Sequence, residues 1–126
     1  MIPEDLRRFV LTSVPTVPHL EAVLLFHDQP ELARSVEDVA HALYVPESAA
    51  GSIVAYLCEI GCIVRHGPGP GAAYRFMPRD AAMRAMLARL AAAYRADMIE
   101  MTHLIHDTTQ KNAQRFADAF KLKKGH

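Results

Sequence analysis

Between Ser35 and Met77 the spacing of apolar residues passes from helical to strand-like. Val36, Val39, Ala40 and Leu43 recur at helical spacing, and Ser35-Val36-Glu37-Asp38 reads as the start of that helix. The Ser35 hydroxyl can accept from the Asp38 backbone N–H while Asp38 reaches back, a short-armed capping box. Tyr44-Val45-Pro46-Glu47 is a turn, and Pro46 suits the first turn of a second helix running to about Ile60. Val54 and Leu57, with Ile53 or Cys58, face inward, and Gly61 fits the left-handed position past a helix end. Cys62–Arg65 and Ala73–Phe76 then read as two strands joined by Gly67-Pro68-Gly69-Pro70-Gly71, and Pro78 stops the sheet.

The flanks are helical. Residues 3–13 predict a short helix, with Leu6, Phe9 and Val10 on one face and Glu4 and Asp5 at its positive end. Pro15 and Pro18 break it, and a helix from Pro18 to Asp28 follows with Leu20, Val23, Leu24 and His27 on one side. Glu31–Arg34 is a short extended piece. From Arg79 to about Thr108 the chain reads as one helix, about 45 Å long at 1.5 Å per residue. Its stripe is Met83, Leu87, Leu90, Tyr94, Met98, Met101 and Ile105, which stays on one face of a nearly straight helix. A stripe that long needs a partner, and the same helix of a second copy is the expected one. A last helix spans Asn112 to Leu122 with Phe116, Ala119 and Phe120 apolar, and Lys121, Lys123 and Lys124 form a basic tail. The expected division is residues 1–78 as one domain and 79–126 as a dimerisation segment.

Composition narrows the class. The 126 residues are 51% hydrophobic with no low-complexity tract, as in a soluble globular chain. No apolar run approaches the roughly 18 residues of a membrane span. Pro3, Glu4 and Asp5 stand where a signal peptide would be basic, and two cysteines make no disulfide framework. A cytoplasmic protein without membrane contact is expected. Net charge is zero, but residues 1–61 carry three arginines against nine carboxylates and residues 62–126 eleven cations against five.

The helix, turn, helix, strand, loop, strand order resembles winged helix-turn-helix transcriptional regulators of the MarR and PadR kinds. The resembling residues are Ser35–Val45, then Val54, Leu57 and Glu59-Ile60-Gly61-Cys62-Ile63, the last with Cys62 where leucine is usual. The resemblance implies a mainly helical fold with a small β-wing, followed by a long C-terminal dimerisation helix. It implies a homodimer that binds double-stranded DNA, with a small-molecule effector as a further possible partner. The outer face of the second helix would be Glu47, Ser48, Gly51, Ser52, Ala55 and Glu59, and the wing would add basic residues. Candidate DNA contacts are therefore Ser48, Ser52, Arg65, His66 and Arg75. This departs from the usual pattern, because no Lys, Arg, Asn or Gln lies between Tyr44 and Val64, and those side chains make the commonest strong base contacts. Arg7, Arg8, Lys111 and the lysine tail are further candidates for phosphate. The alternative is a winged-helix protein–protein module that binds no DNA.

Other constellations point to less. Glu100, His103 and His106 drift around the helix, too far for one ion to reach all three, so no metal is assigned. Cys58 and Cys62 fit either a buried pair or a redox pair. The methionines at 83, 86, 98 and 101 fit either a packed interface or an effector pocket. No P-loop, dinucleotide-binding turn or nucleophile elbow occurs, so neither an enzyme nor a cofactor is expected.

Overall fold

The computed structural model describes residues 1–69 and 71–124, with side chains as far as Phe120. It is mainly helical, with one small antiparallel sheet. The order is α1 (Glu4–Ser13), α2 (Val17–Asp28), β1 (Arg34–Ser35), α3 (Val36–Leu43), α4 (Glu47–Glu59), β2 (Ile63–His66), β3 (Ala73–Phe76), α5 (Ala81–Ala96), α6 (Met98–His106) and α7 (Thr108–Lys124). The sheet order is β1-β3-β2, so the extended piece before α3 pairs with the wing. The expected winged helix-turn-helix is present.

The chain forms two compact units. One is residues 18–91, and the other joins residues 1–17 to residues 92–126. The first helix groups with the last helices.

In the winged unit Leu20, Val23, Phe26, Val39, Val54, Leu57, Ile63, Leu87 and Leu90 are buried. The α2 face is rotated from expectation: Phe26 is buried, and Leu24 and His27 are only half-buried. Phe26 lies beside Val23 and Ala22 on the helix surface, which shifts the buried face towards it, and the aromatic ring buries more apolar area. His27 instead sets the edge of its ring on Phe76, at 5.6 Å between centroids, and the Arg84 guanidinium also lies 5.6 Å from that ring.

The single helix expected over residues 79–108 is broken twice. At Asp97 the backbone leaves the helical region (φ −153°, ψ 88°), and the carboxylate accepts from the Glu100 backbone N–H at 2.9 Å. At Asp107 the carboxylate accepts from the backbone N–H of Gln110 at 2.9 Å and from its side-chain amide at 2.8 Å. Both are N-caps that restart a helix. Asp97-x-x-Glu100 and Asp107-x-x-Gln110 carry the capping-box spacing, a signal the apolar stripe outweighed. The expected helix start at Asn112 moves back to Thr108 for the same reason.

The stripe itself divides. Met83, Leu87, Leu90, Met101 and Ile105 are buried within the chain, Tyr94 is half-buried and Met98 is exposed. Periodicity identified an apolar face, but the chain's own core covers most of it. Among the described residues no single helix is long and apolar enough to cross a membrane.

In the unit built from the chain ends, α1 packs on α6 and α7. Arg7 Nη1 donates to Gln110 Oε1 at 2.6 Å, and Lys111 Nζ donates to the carbonyls of Val14 and Pro15 at 3.2 and 3.0 Å. The lysine supplies donors to carbonyls that the end of α1 leaves without helical partners.

Two glycines should respond oppositely to alanine. At Gly51 a Cβ would meet only Val36 Cγ1 at 3.9 Å, so Gly51→Ala should add about 0.5–1 kcal/mol by helix propensity. At Gly61 φ is +86° and a Cβ would lie 2.8 Å from Arg79 Cδ, so Gly61→Ala should cost about 1–3 kcal/mol. Urea unfolding of both variants checks the pair.

Candidate nucleic-acid interface

The reading head is assembled by its caps. Asp38 N–H donates to Ser35 Oγ at 3.0 Å, and Ser35 N–H donates to Asp38 Oδ2 at 2.9 Å. The Ser35 backbone donor, more than any other group, holds the Asp38 carboxyl below the ordinary range. The box fixes the start of α3 where it leaves β1. At the other end Tyr44 adopts the left-handed conformation (φ 56°, ψ 45°) and turns the chain into Pro46, the N-cap of α4.

Ile53, Val54 and Leu57 anchor α4 inward, leaving Glu47, Ser48, Ser52, Ala55 and Glu59 exposed. Gly51 is only half-exposed, with Val36 of α3 beside it. Ser52 Oγ donates to the Ser48 carbonyl at 3.2 Å, so that hydroxyl already serves its own helix. The outer face of α4 thus holds two hydroxyls, one methyl and two carboxylates.

The wing separates its cations. Pairing joins Ile63 to Phe76, Val64 to Arg75, Arg65 to Tyr74 and His66 to Ala73. Side chains alternate across a sheet and paired residues share a face. Arg65 therefore lies on the Ile63/Phe76 face, while His66 and Arg75 lie together as diagonal neighbours on the other. Arg65 Nη2 donates to the Gly69 carbonyl at 2.7 Å, bracing the loop it flanks. Of the three wing candidates, Arg75 and His66 share a surface and Arg65 stands apart.

The basic residues outside this unit are partly committed. Arg7 bonds Glu4 at 2.9 Å as well as Gln110. Lys111 is half-buried against α1, which lowers its pKa by desolvation and then by the nearby Arg115. Arg8 is exposed. The side chains of Lys121, Lys123 and Lys124 lie outside the described residues. His103 and His106 are exposed, and among the described residues no three His, Cys, Asp or Glu side chains converge on a metal position.

The end-built unit contains an open cavity of about 500 Å³. Ile2, Ile99 and Leu104 give it apolar walls, and Arg7, Glu100 and His103 line its polar side. Met98, Ile99, Thr102 and His103 line a second hollow of about 260 Å³.

Cys62 is buried and Cys58 half-buried. Burial pushes the Cys62 thiol up to about 12, and it raises Cys58 as well. Reactive cysteines need lowered values, so both thiols have the character of packing groups.

No protein-family model matches the sequence, and neither does any curated protein. Solved structures do match. MepR, a transcription regulator of the Staphylococcus aureus multidrug efflux pump MepA, aligns with a TM-score of 0.52 at 13% identity, over 86% of this chain and 77% of that one. RV1404 from Mycobacterium tuberculosis aligns with a TM-score of 0.52 at 16% identity, over 97% and 84%. The heme sensor protein PefR from Streptococcus agalactiae, in complex with heme, aligns with a TM-score of 0.51 at 15% identity, over 86% and 72%. The likeness is one of fold, and it agrees with the winged-helix regulators that the sequence resembles.

The burial of Cys62 has two measurable effects. At pH 8 a thiol titrating near 12 is about one ten-thousandth thiolate, so a thiol reagent should label Cys62 only after denaturation. Its folded pKa lies above the ordinary thiol value of 9.0, so the unfolded chain gives up this proton first. Its contribution to stability is complete below about pH 9 and should decline as pH rises towards 12.

Proposed function

We propose that the protein is a homodimeric winged-helix DNA-binding protein that regulates transcription. The observation that carries this reading is the capped α3–turn–α4 unit with a wing whose Arg75 and His66 share one exposed face. In such units the second helix enters the major groove while backbone contacts set its register. With so few donors on α4, affinity rests on phosphate contacts from the wing, doubled by a two-fold partner. The dimer reading draws on exposed apolar side chains of the end-built unit: Met98 and Ile99 on α6, and Phe116 and Phe120 on α7. Met98 is the stripe residue that remains available to a second copy. The cavity beside Ile99 and Glu100 offers a site for a small-molecule effector. This reading assigns no catalytic role and no cofactor.

A second reading has its own observation. Glu37, Asp38, Glu47 and Glu59 are exposed on the two helices of the reading head, which suits a basic protein surface better than phosphate.

Anisotropy of a labelled random duplex, titrated at low and moderate salt, separates the two. Binding at low salt that falls steeply with added salt supports DNA, since phosphate neutralisation supplies non-specific affinity. Absence of binding at low salt supports the protein partner. Arg75→Gln should weaken binding on all sequences and reduce the salt slope by about two, one for each copy in the dimer. Arg65→Gln should change the slope less. Sedimentation of Phe116→Ser should show a shift from dimer towards monomer.

A further inference from the structure

Tyr44 is the one residue other than glycine with a positive φ among the described residues. Its backbone N–H donates to the His41 carbonyl at 3.4 Å, and the Val45 N–H to the Ala40 carbonyl at 3.1 Å, closing α3 in a left-handed cap. Glycine or asparagine is favoured at such a position, because a Cβ is crowded there. Tyrosine carries that strain. It recovers nothing from packing, since its side chain is 96% exposed. Among the described residues none receives a hydrogen bond from its hydroxyl. The folded chain by itself has no use for this ring.

The ring's position gives it a use. Tyr44 lies two residues before the N-cap of α4, between the two helices of the reading head. The exposed side chains nearest in sequence are His41, Ala42, Pro46, Glu47 and Ser48, which leaves the turn without a lysine or arginine. A phenol is a neutral donor on a rigid apolar body. It can lie against a deoxyribose and donate its O–H to a phosphate oxygen, bringing no carboxylate close to the backbone. We propose that Tyr44 is the contact by which the turn grips the DNA backbone, and that the strained cap is retained to present it. The inference rests on the DNA-binding reading above. It assigns Tyr44 a role in holding register, not in reading bases, because backbone contacts carry no sequence information directly.

The test compares wild type, Tyr44→Gly and Tyr44→Phe for thermal stability and for affinity to several short duplexes across a salt series. Glycine relieves the strain, so Tyr44→Gly should unfold at the same temperature or higher while binding at least about tenfold more weakly. Tyr44→Phe keeps the ring and should lose about three- to tenfold through the missing hydroxyl. Both losses should be uniform across sequences and should leave the salt slope unchanged, since a neutral side chain displaces no counterion. A charged phosphate contact would change that slope. The inference is overturned if Tyr44→Gly binds like wild type, or if it loses binding and stability together. A wild type that binds no duplex at low salt overturns the DNA reading itself. Wild-type binding with an unaffected glycine variant removes only the role of Tyr44.

Discussion

At Gly61 the chain leaves α4 with φ at +86°, and the next two carbonyls are taken by the far end of the wing. Arg79 N–H donates to the Gly61 carbonyl at 2.8 Å, and Met77 N–H donates to the Cys62 carbonyl at 3.1 Å. The residues entering and leaving the hairpin are thereby tied to one corner just past the end of α4. The Arg79 side chain occupies the space a Cβ would need at Gly61, so the corner has one backbone solution. Cys62 is buried immediately beyond it, where its thiol is a packing group. The angle between α4 and the wing, and with it the spacing of Ser48 from Arg75, follows from this corner.

The winged unit was readable because its signals are local and chemically distinct. Ser35 and Asp38 form a cap four residues long, Gly61 is a positive-φ position, and the Gly/Pro loop leaves little choice but a hairpin. The C-terminal half was misread where two local signals competed. The stretch 79–108 is rich in strong helix formers, and the seven-residue stripe fitted one continuous face. Asp97 and Asp107 each carry a cap with its partner three residues on, and breaking the helix twice lets Met101 and Ile105 be buried within the chain. Periodicity marks a face but does not say what covers it. Which elements meet was beyond the sequence for the same reason: nothing local in residues 3–13 states that Arg7 will find Gln110.

The site was legible in its residue types and less so in its geometry. Ser48 and Ser52 are outward as expected, but the Ser52 hydroxyl is turned back to its own helix. Arg65 and Arg75 are both exposed, yet strand alternation sends them to opposite faces, a distinction that needs the register and not only the strand. Of the outside candidates for phosphate, Arg7 and Lys111 are occupied by α1 and α7. The helix-turn-helix presents a small polar face, and the wing carries Arg75 with His66 on one side and Arg65 on the other.

The lysine that closes the end of α1 has a temporal consequence. Lys111 follows Val14 by 97 residues, and translation at roughly 5–20 residues per second separates their synthesis by about 5–20 s. During that interval residues 18–91 contain every strand among the described residues and both helices of the helix-turn-helix, so the winged unit can fold as it emerges. The first helix must wait with Leu6 and Val10 exposed until α6 and α7 leave the ribosome. A chain interrupted before Lys111 would carry a formed reading head and an orphaned, sticky first helix. The end-built unit thus forms late, because α1 has to meet α6 and α7, which are made after the winged unit.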